Sequence, residues 1–142
     1  EKHQESYTDA LDAVARSLPA LWRAEKVQKK ASKAHFDWEN TQQTLEKVHE
    51  ELGELEEAIA EGNLDHMMEE YGDLLFASVN TARFMGVDPE DALNAATEKF
   101  IRRFRQVEQL SQARGQALDA CSVDELVALW KDAKHTLDDT NP

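Results

Sequence analysis

The sequence predicts an all-α protein, a helical bundle with an antiparallel helix hairpin at its core. Three observations predict this class. Only 5 Gly and 3 Pro interrupt the 142 residues, apolar residues recur at the three- and four-residue spacing of amphipathic helices, and no segment alternates apolar and polar residues as a half-buried strand does. A chain of this length can form one domain with a sizeable core.

Start and stop signals define five helices, over approximately residues 19–34, 41–61, 64–85, 89–114 and 123–134. Pro19 suits a first helical turn, and Gly62 and Gly86 are typical C-terminal stops. Asp88-Pro89 provides an N-cap followed by a proline at the first helical position. Ser122-Val123-Asp124-Glu125 fits a capping box. We expect a loosely held linker or flexible segment over residues 1–15, a folded domain over 16–136 and a frayed tail over 137–142.

The charge balance restricts the possible partners. Against 29 Asp and Glu stand 16 Lys and Arg, which gives a net charge of −13 and argues against a binder of nucleic-acid polymers. A small phosphorylated ligand stays possible, because divalent metals can invert the local charge. The lone Cys121 excludes an internal disulfide and suits the cytoplasm. The longest apolar run, Leu74 to Ala77, is too short for a membrane span.

Two pairs of carboxylates are candidate metal ligands. Glu51 and Glu54 lie three residues apart beside the apolar stripe of the second predicted helix, and Glu70 and Asp73 repeat that spacing on the third. The third helix is apolar nearly all round, so we expect it to be largely buried. Buried carboxylates need partners, and oxygen ligands favour Mg²⁺ or Mn²⁺ over Zn²⁺. Since Mg²⁺ usually binds substrate phosphates as well, a phosphorylated substrate follows. A solvated acidic face is the alternative for the second helix alone.

Basic and aromatic residues later in the chain are candidates for substrate contact. Lys99 and Arg103 border the apolar stripe of the fourth predicted helix and could bind phosphate oxygens, or could form ordinary salt bridges. Trp130 and Lys134 lie one turn apart on the last helix. Trp130 could stack on a base, or could simply anchor its helix to the bundle.

The acidic pattern resembles a known family. Glu50-Glu51-Leu52-Gly53-Glu54, followed by Glu70-Tyr71-Gly72-Asp73, matches the E-E-x-x-E…E-x-x-D pattern of MazG-like nucleoside triphosphate pyrophosphohydrolases, members of the all-α NTP pyrophosphohydrolases. Asn80 and Glu98-Lys99-Phe100-x-x-Arg103-Phe104 strengthen the resemblance, which extends from about Arg16 to Lys134. The segments 16–21 and 36–38 resemble the entry to the second domain of two-domain MazG proteins, so we expect a C-terminal fragment.

The resemblance implies hydrolysis of a nucleoside triphosphate to the monophosphate and pyrophosphate, with Mg²⁺ (or Mn²⁺ in its place), by a homodimer. It implies a catalytic domain over residues 16–136. The metal ligands implied are Glu51, Glu54, Glu70 and Asp73. Glu54, Lys99 and Arg103 are the predicted catalytic residues, with Glu54 as one candidate for the proton acceptor. The predicted substrate contacts are Lys47, Asn80, Lys99, Arg103, Trp130 and Lys134.

Two other interpretations stay open. Glu46 and His49 form an E-x-x-H, the spacing used in di-iron carboxylate bundles, but no other histidine supplies the second such motif that this architecture needs. Alternatively, the domain is catalytically degenerate and only dimerises or binds a partner.

Overall fold

The structure, a computed structural model, describes residues 6–140, with only the backbone described for 137–140. The expectations for residues 1–5 and 141–142 therefore lie outside the described residues. The helices in chain order are α1 (Tyr7–Asp12), α2 (Ala20–Ser32), α3 (Thr41–Glu61), α4 (Leu64–Met85), α5 (Pro89–Ala113) and α6 (Val123–Thr140), with a 3₁₀ turn at Leu118–Ala120 before α6. Residues 6–140 contain no β-strand, which confirms the all-α prediction. Among these same residues, no helix is both long and apolar enough to cross a bilayer.

The chain divides into two compact units. The first ends at Ala92 and holds α1 to α4 with the first residues of α5. The second begins at Leu93 and holds the rest of α5, the 3₁₀ turn and α6.

The hairpin of α3 and α4 dominates the first unit. The Asn40 side chain caps the start of α3 by accepting from the Gln43 amide at 2.9 Å. Gly62 ends α3 in the left-handed region at φ 75°, where a side chain would be strained, and Asn63 immediately caps α4. Because only these two residues connect the helices, α4 folds back antiparallel to α3. The opposing faces bring residues near the middle of each helix together.

Helix α2 packs on α4. The Gln28 amide Nε2 donates to the backbone oxygen of Phe76 at 2.9 Å. At the far end of α4, Asp88 accepts from the Trp22 indole at 2.8 Å and from the backbone amide of Asp91 at 3.0 Å. The hydrogen bond from Asp91, followed by that from Trp22, lowers the pKa of Asp88 below 3.8. One carboxylate thus caps α5 and ties α2 to its start.

The second unit has its own small core. Leu129 and Ala133 of α6 are buried against Val107 of α5, with Leu110, Leu118, Cys121 and Trp130 packed around them. Phe100 and Trp130 stand with ring centroids 5.3 Å apart.

Three structural details differ from the sequence predictions. Residues 7–12 form a helix where a loosely held segment was expected, because Ser6 and Asp9 make a capping box. Helix α6 continues beyond Lys134 to Thr140, since no Gly or Pro interrupts it. In a single copy of the chain, the prediction that α4 is largely buried is wrong. Its residues Met68, Tyr71 and Leu75 are exposed.

Candidate active site

Three carboxylates converge where the middle of α3 faces α4. Glu51, Glu70 and Asp73 each place one oxygen within 4.8 Å of the others. Glu51 and Glu70 are buried, at 5% and 8% exposure, while Asp73 is exposed. Three of the four predicted carboxylates therefore converge in the structure, with one side of the cluster open to solvent.

The cluster has the features of a site for a hard cation. The second carboxylate oxygens of Glu51 and Glu70 are buried and have no hydrogen-bond partner. A buried charged oxygen without a partner is costly, and an oxygen-coordinated divalent cation would satisfy both. Oxygen-only donors at this spacing match the preference of Mg²⁺ and Mn²⁺. These residues fit a metal.

Glu54 borders the cluster as a hydrogen-bond partner. When protonated it donates to the Glu70 carboxylate, and this bond, together with the negative charge of Glu51 and partial burial, raises the pKa of Glu54 to about 7. The raised pKa reflects the crowding of negative charge, since one shared proton relieves the repulsion. Glu54 is not one of the three residues whose oxygens converge, and its predicted role as a ligand stays a prediction.

Two basic side chains contact the buried carboxylates. Lys47 Nζ lies 3.0 Å from Glu51 and 3.4 Å from Glu50, and the bond to Glu51 raises the pKa of Lys47. His66 bridges two carboxylates, with Nδ1 2.9 Å from Glu61 and Nε2 3.2 Å from Glu70. The Glu61 contact raises the pKa of His66. Lys47 is thus near the metal ligands that were predicted, and its contact with phosphate stays a prediction.

The di-iron interpretation finds no support in the geometry. Glu46 and His49 are both exposed. Among the described residues, the group that could hold a metal is formed by Glu51, Glu70 and Asp73 and includes neither of them.

A cleft lies further along α4, between α2, the loop joining α2 to α3, and the last turns of α4. It encloses about 430 Å³, within the range of small-molecule sites. Arg83 closes one side by donating to Asp37 through Nη1 and Nη2, with Nη1 donating to Oδ2 at 3.0 Å. This pairing lowers the pKa of Asp37. The same guanidinium donates to Asn80 Oδ1 at 2.8 Å. Asn80, a predicted substrate contact, lines this cleft.

The remaining predicted residues lie in the second unit. Lys99 and Lys134 are exposed. The Arg103 guanidinium lies 5.8 Å from the centroid of the Trp130 ring. Trp130 also packs against Phe100 and the small core, as the anchoring alternative requires. The roles of these four residues in substrate binding stay predictions.

Sequence reasoning assigned no role to three polar side chains in the first unit. His66 precedes Glu70 by one helical turn, and that i,i+4 spacing is a readable signal. Gln28 sits among apolar neighbours of α2, a weak signal of a buried amide. Arg83 pairs with Asp37 across 46 positions, and no local pattern predicts such a contact.

Comparisons with known proteins show which family this chain resembles. The MazG nucleotide pyrophosphohydrolase domain matches residues 39–108. A relative in Escherichia coli strain K12, "Nucleoside triphosphate pyrophosphohydrolase", is 41% identical over 136 residues, which cover 94% of this chain and 52% of the relative. In Thermotoga maritima, "Nucleoside triphosphate pyrophosphohydrolase/pyrophosphatase MazG" is 44% identical over 117 residues, 82% of this chain and 45% of the relative. The Bacillus subtilis protein "Uncharacterized protein YabN" is 42% identical over 132 residues, 92% of this chain and 27% of the relative. The chain thus spans about half the length, or less, of these relatives.

Proposed function

The chain belongs to the MazG nucleotide pyrophosphohydrolase family, and on that premise we propose that it hydrolyses nucleoside triphosphates to the monophosphate and pyrophosphate with Mg²⁺. The observation that carries the proposal is the convergence of Glu51, Glu70 and Asp73 within 4.8 Å, with two buried carboxylate oxygens lacking partners. The relatives from E. coli and from T. maritima are both named for this activity.

In this proposal Glu51, Glu54, Glu70 and Asp73 hold Mg²⁺, or Mn²⁺ in its place. The bound metal would supply positive charge for the phosphates and lower the pKa of a coordinated water. Glu54, half-buried at the border of the cluster, accepts the proton of the attacking water. Glu70 and Glu51 beside it raise the pKa of its carboxyl, which favours acceptance of that proton.

Cationic side chains bind the phosphate oxygens. Lys47 is positioned by Glu51 at 3.0 Å, so its ammonium group is already fixed beside the carboxylates. Lys99 and Arg103 contribute two further cations to the developing negative charge. Trp130 and Lys134 contact the nucleotide from α6, and Asn80 contacts its nucleoside.

A homodimer completes the bundle. Tyr71 and Leu75 of α4 are 54% and 42% exposed, and Phe100 and Phe104 of α5 are 56% and 43% exposed. Apolar side chains in such number call for a partner surface, and a second copy is the simplest one. Val79 of α4 takes no part in this exposed surface, because it is buried at 1% exposure. Sedimentation at micromolar concentration tests this, and a species near 16 kDa would contradict the dimer.

The cellular setting belongs to the same proposal. We place the catalytic domain at residues 16–136 and the protein in the cytoplasm, where the lone Cys121 stays reduced. The net charge of −13 disfavours binding to nucleic-acid polymers, and apolar runs as short as Leu74 to Ala77 disfavour insertion into a membrane.

The direct test is release of pyrophosphate from a mixture of nucleoside triphosphates, with Mg²⁺ and with EDTA. We expect equimolar monophosphate and pyrophosphate, and loss of both products in EDTA. Release of orthophosphate in place of pyrophosphate, or turnover that EDTA leaves unchanged, would contradict the proposal. Absence of turnover in every mixture would favour the degenerate, partner-binding alternative.

A further inference from the structure

The two buried carboxylates of the cluster share one arrangement. Each places its Oε1 atom against a basic side chain. Glu51 Oε1 lies 3.0 Å from Lys47 Nζ, and Glu70 Oε1 lies 3.2 Å from His66 Nε2. Each Oε2 atom is buried and has no hydrogen-bond partner. In both carboxylates, therefore, one oxygen is held by the protein and the other is left for a cation.

His66 differs from Lys47 in being held at both ends of its side chain. Its Nδ1 lies 2.9 Å from Glu61 Oε2, opposite the contact of Nε2 with Glu70. Its backbone amide donates to Asn63 Oδ1 at 3.2 Å. These contacts fix the ring and the backbone that carries it, whereas Lys47 reaches its carboxylate on a flexible four-carbon stem.

The turn between α3 and α4 produces this arrangement. Glu61 is the last residue of α3, and Asn63 caps α4, so that His66 falls in the first turn of α4. Glu70 follows His66 at i+4 and lies on the same face of the helix. The side chains of Glu61, His66 and Glu70 are 59%, 37% and 11% exposed. They form a chain of contacts from the exposed end of the hairpin to the buried cluster.

This chain of contacts restricts the Glu70 carboxylate. A carboxylate held at one oxygen by a fixed donor rotates little, so its other oxygen keeps a fixed position. Loss of such an outer partner typically weakens metal binding by about 10- to 100-fold. The positive charge of a His66 ring that donates from both nitrogens acts in the opposite direction, because it repels a cation. Orientation and charge therefore predict opposite effects of removing His66 on metal affinity.

We propose that His66 is a positioning residue of the metal centre: anchored by Glu61, it holds Glu70 Oε1 and thereby presents Glu70 Oε2 to the divalent cation. The inference rests on the proposed function for the presence of that cation. His66 itself is not a metal ligand in this arrangement, because a carboxylate oxygen faces each of its ring nitrogens. Glu61 acts only through His66.

The test measures the affinity of the nucleotide-free protein for Mn²⁺, from the electron paramagnetic resonance signal of the free ion. His66→Leu should raise the Kd by about tenfold, since the loss of orientation outweighs the removal of a positive charge. His66→Gln keeps an N–H donor without the charge, and its Kd should lie no more than about threefold above that of wild type. His49→Leu makes the same change at an exposed position of α3 outside the cluster and should leave the Kd unchanged.

The anchoring role of Glu61 is tested by a double-mutant cycle. Glu61→Ala should weaken Mn²⁺ binding by about threefold in the wild-type background, because the ring loses its outer contact. In the His66→Leu background the same change should have no further effect, since residues that act through one another are not additive. A loss of equal size in both backgrounds would overturn the anchoring role.

Pyrophosphate release separates this inference from the proposed function. In His66→Leu the Mn²⁺ concentration for half-maximal turnover should rise about tenfold, while kcat at saturating Mn²⁺ stays within about threefold of wild type. Mn²⁺ binding by His66→Leu as tight as or tighter than that of wild type would overturn the positioning role and leave the hydrolysis standing. The expected series of Kd values without any pyrophosphate release would overturn the hydrolysis and leave the role of His66 standing. Absence of Mn²⁺ binding by the wild type would overturn the metal centre and this role with it.

Discussion

Replacing Glu70 by Gln should stabilise the protein without metal and destabilise it, relative to wild type, with metal. Glu70 is buried, and its carboxylate lies within 4.8 Å of those of Glu51 and Asp73. Glutamine keeps the shape and the hydrogen-bonding capacity toward His66 but removes one negative charge. The two energies that decide the outcome, charge repulsion and metal binding, therefore have opposite signs.

The repulsion can be sized from the geometry. Two unit charges at that separation repel by about 3.5 kcal/mol at an effective dielectric of 20. Protons taken up by the cluster and contact with solvent through exposed Asp73 reduce this, so we expect a gain on the order of 1–2 kcal/mol in the free energy of unfolding. For a chain of this length the Tm should rise by about 3–8 °C in EDTA. With metal at 100 times its Kd, metal binding raises the free energy of unfolding of the wild type by about 2.7 kcal/mol. The variant, which lacks one ligand, should gain much less.

Thermal unfolding followed by circular dichroism, in EDTA and in millimolar Mn²⁺, measures both terms. The order of the two Tm values should reverse between the two conditions. Glu69→Gln makes the same charge change at the adjacent, exposed position and should move neither Tm by more than about 2 °C. A Glu70→Gln variant that melts below wild type in EDTA, or that gains as much Tm from Mn²⁺, would refute the reasoning.

Three further outcomes are expected. Glu54→Gln should lower turnover by about 100-fold, as loss of a preorganised group commonly does. Glu50→Gln, on an exposed residue one turn earlier that lies outside the carboxylate cluster, should keep most activity, and equal losses in pyrophosphate release would show the acidic face to be misassigned. Asp37→Asn should cost about 1–3 kcal/mol at neutral pH, because Arg83 holds the pKa of Asp37 below 3.8. That stabilisation is complete above the unfolded pKa and is lost as pH falls through the folded one, so urea titrations should show the wild-type advantage at pH 6 and a progressively smaller advantage as the pH is lowered below 3.8. Leu129→Ala, at 1% exposure in the small core, should lower the unfolding free energy of the second unit by about 2–5 kcal/mol in urea, and an unchanged midpoint would contradict its place there.

The helix pattern could be predicted because its signals are local. Gly62 and Gly86 end α3 and α4 in the left-handed region, and Asp88 caps α5 through the Asp91 amide, as the sequence indicated. The short α1 escaped prediction although its capping residues, Ser6 and Asp9, are present. The reason is that the surrounding polar composition gives no apolar stripe to support them.

The sequence predicted only the part of the site whose residues are spaced to share one face of a helix. Carboxylates at i and i+3 on two adjacent helices predicted a cluster of Glu51, Glu54, Glu70 and Asp73, and all but Glu54 place an oxygen within 4.8 Å of the others. The cleft was not predictable, because its lining residues come from separate elements. The buried Gln28 Oε1, which has no hydrogen-bond partner, also becomes apparent only in the folded structure. Exposure of Met68 likewise depends on which surface covers α4 rather than on the apolar pattern of α4 itself.

The arrangement along α4 has an evolutionary consequence. The helix carries Glu70 and Asp73 in one half and lines the cleft with Asn80 and Arg83 in the other, so the two regions share a scaffold but no side chain. Substitutions that reshape the cleft can therefore accumulate while the carboxylates stay under separate selection.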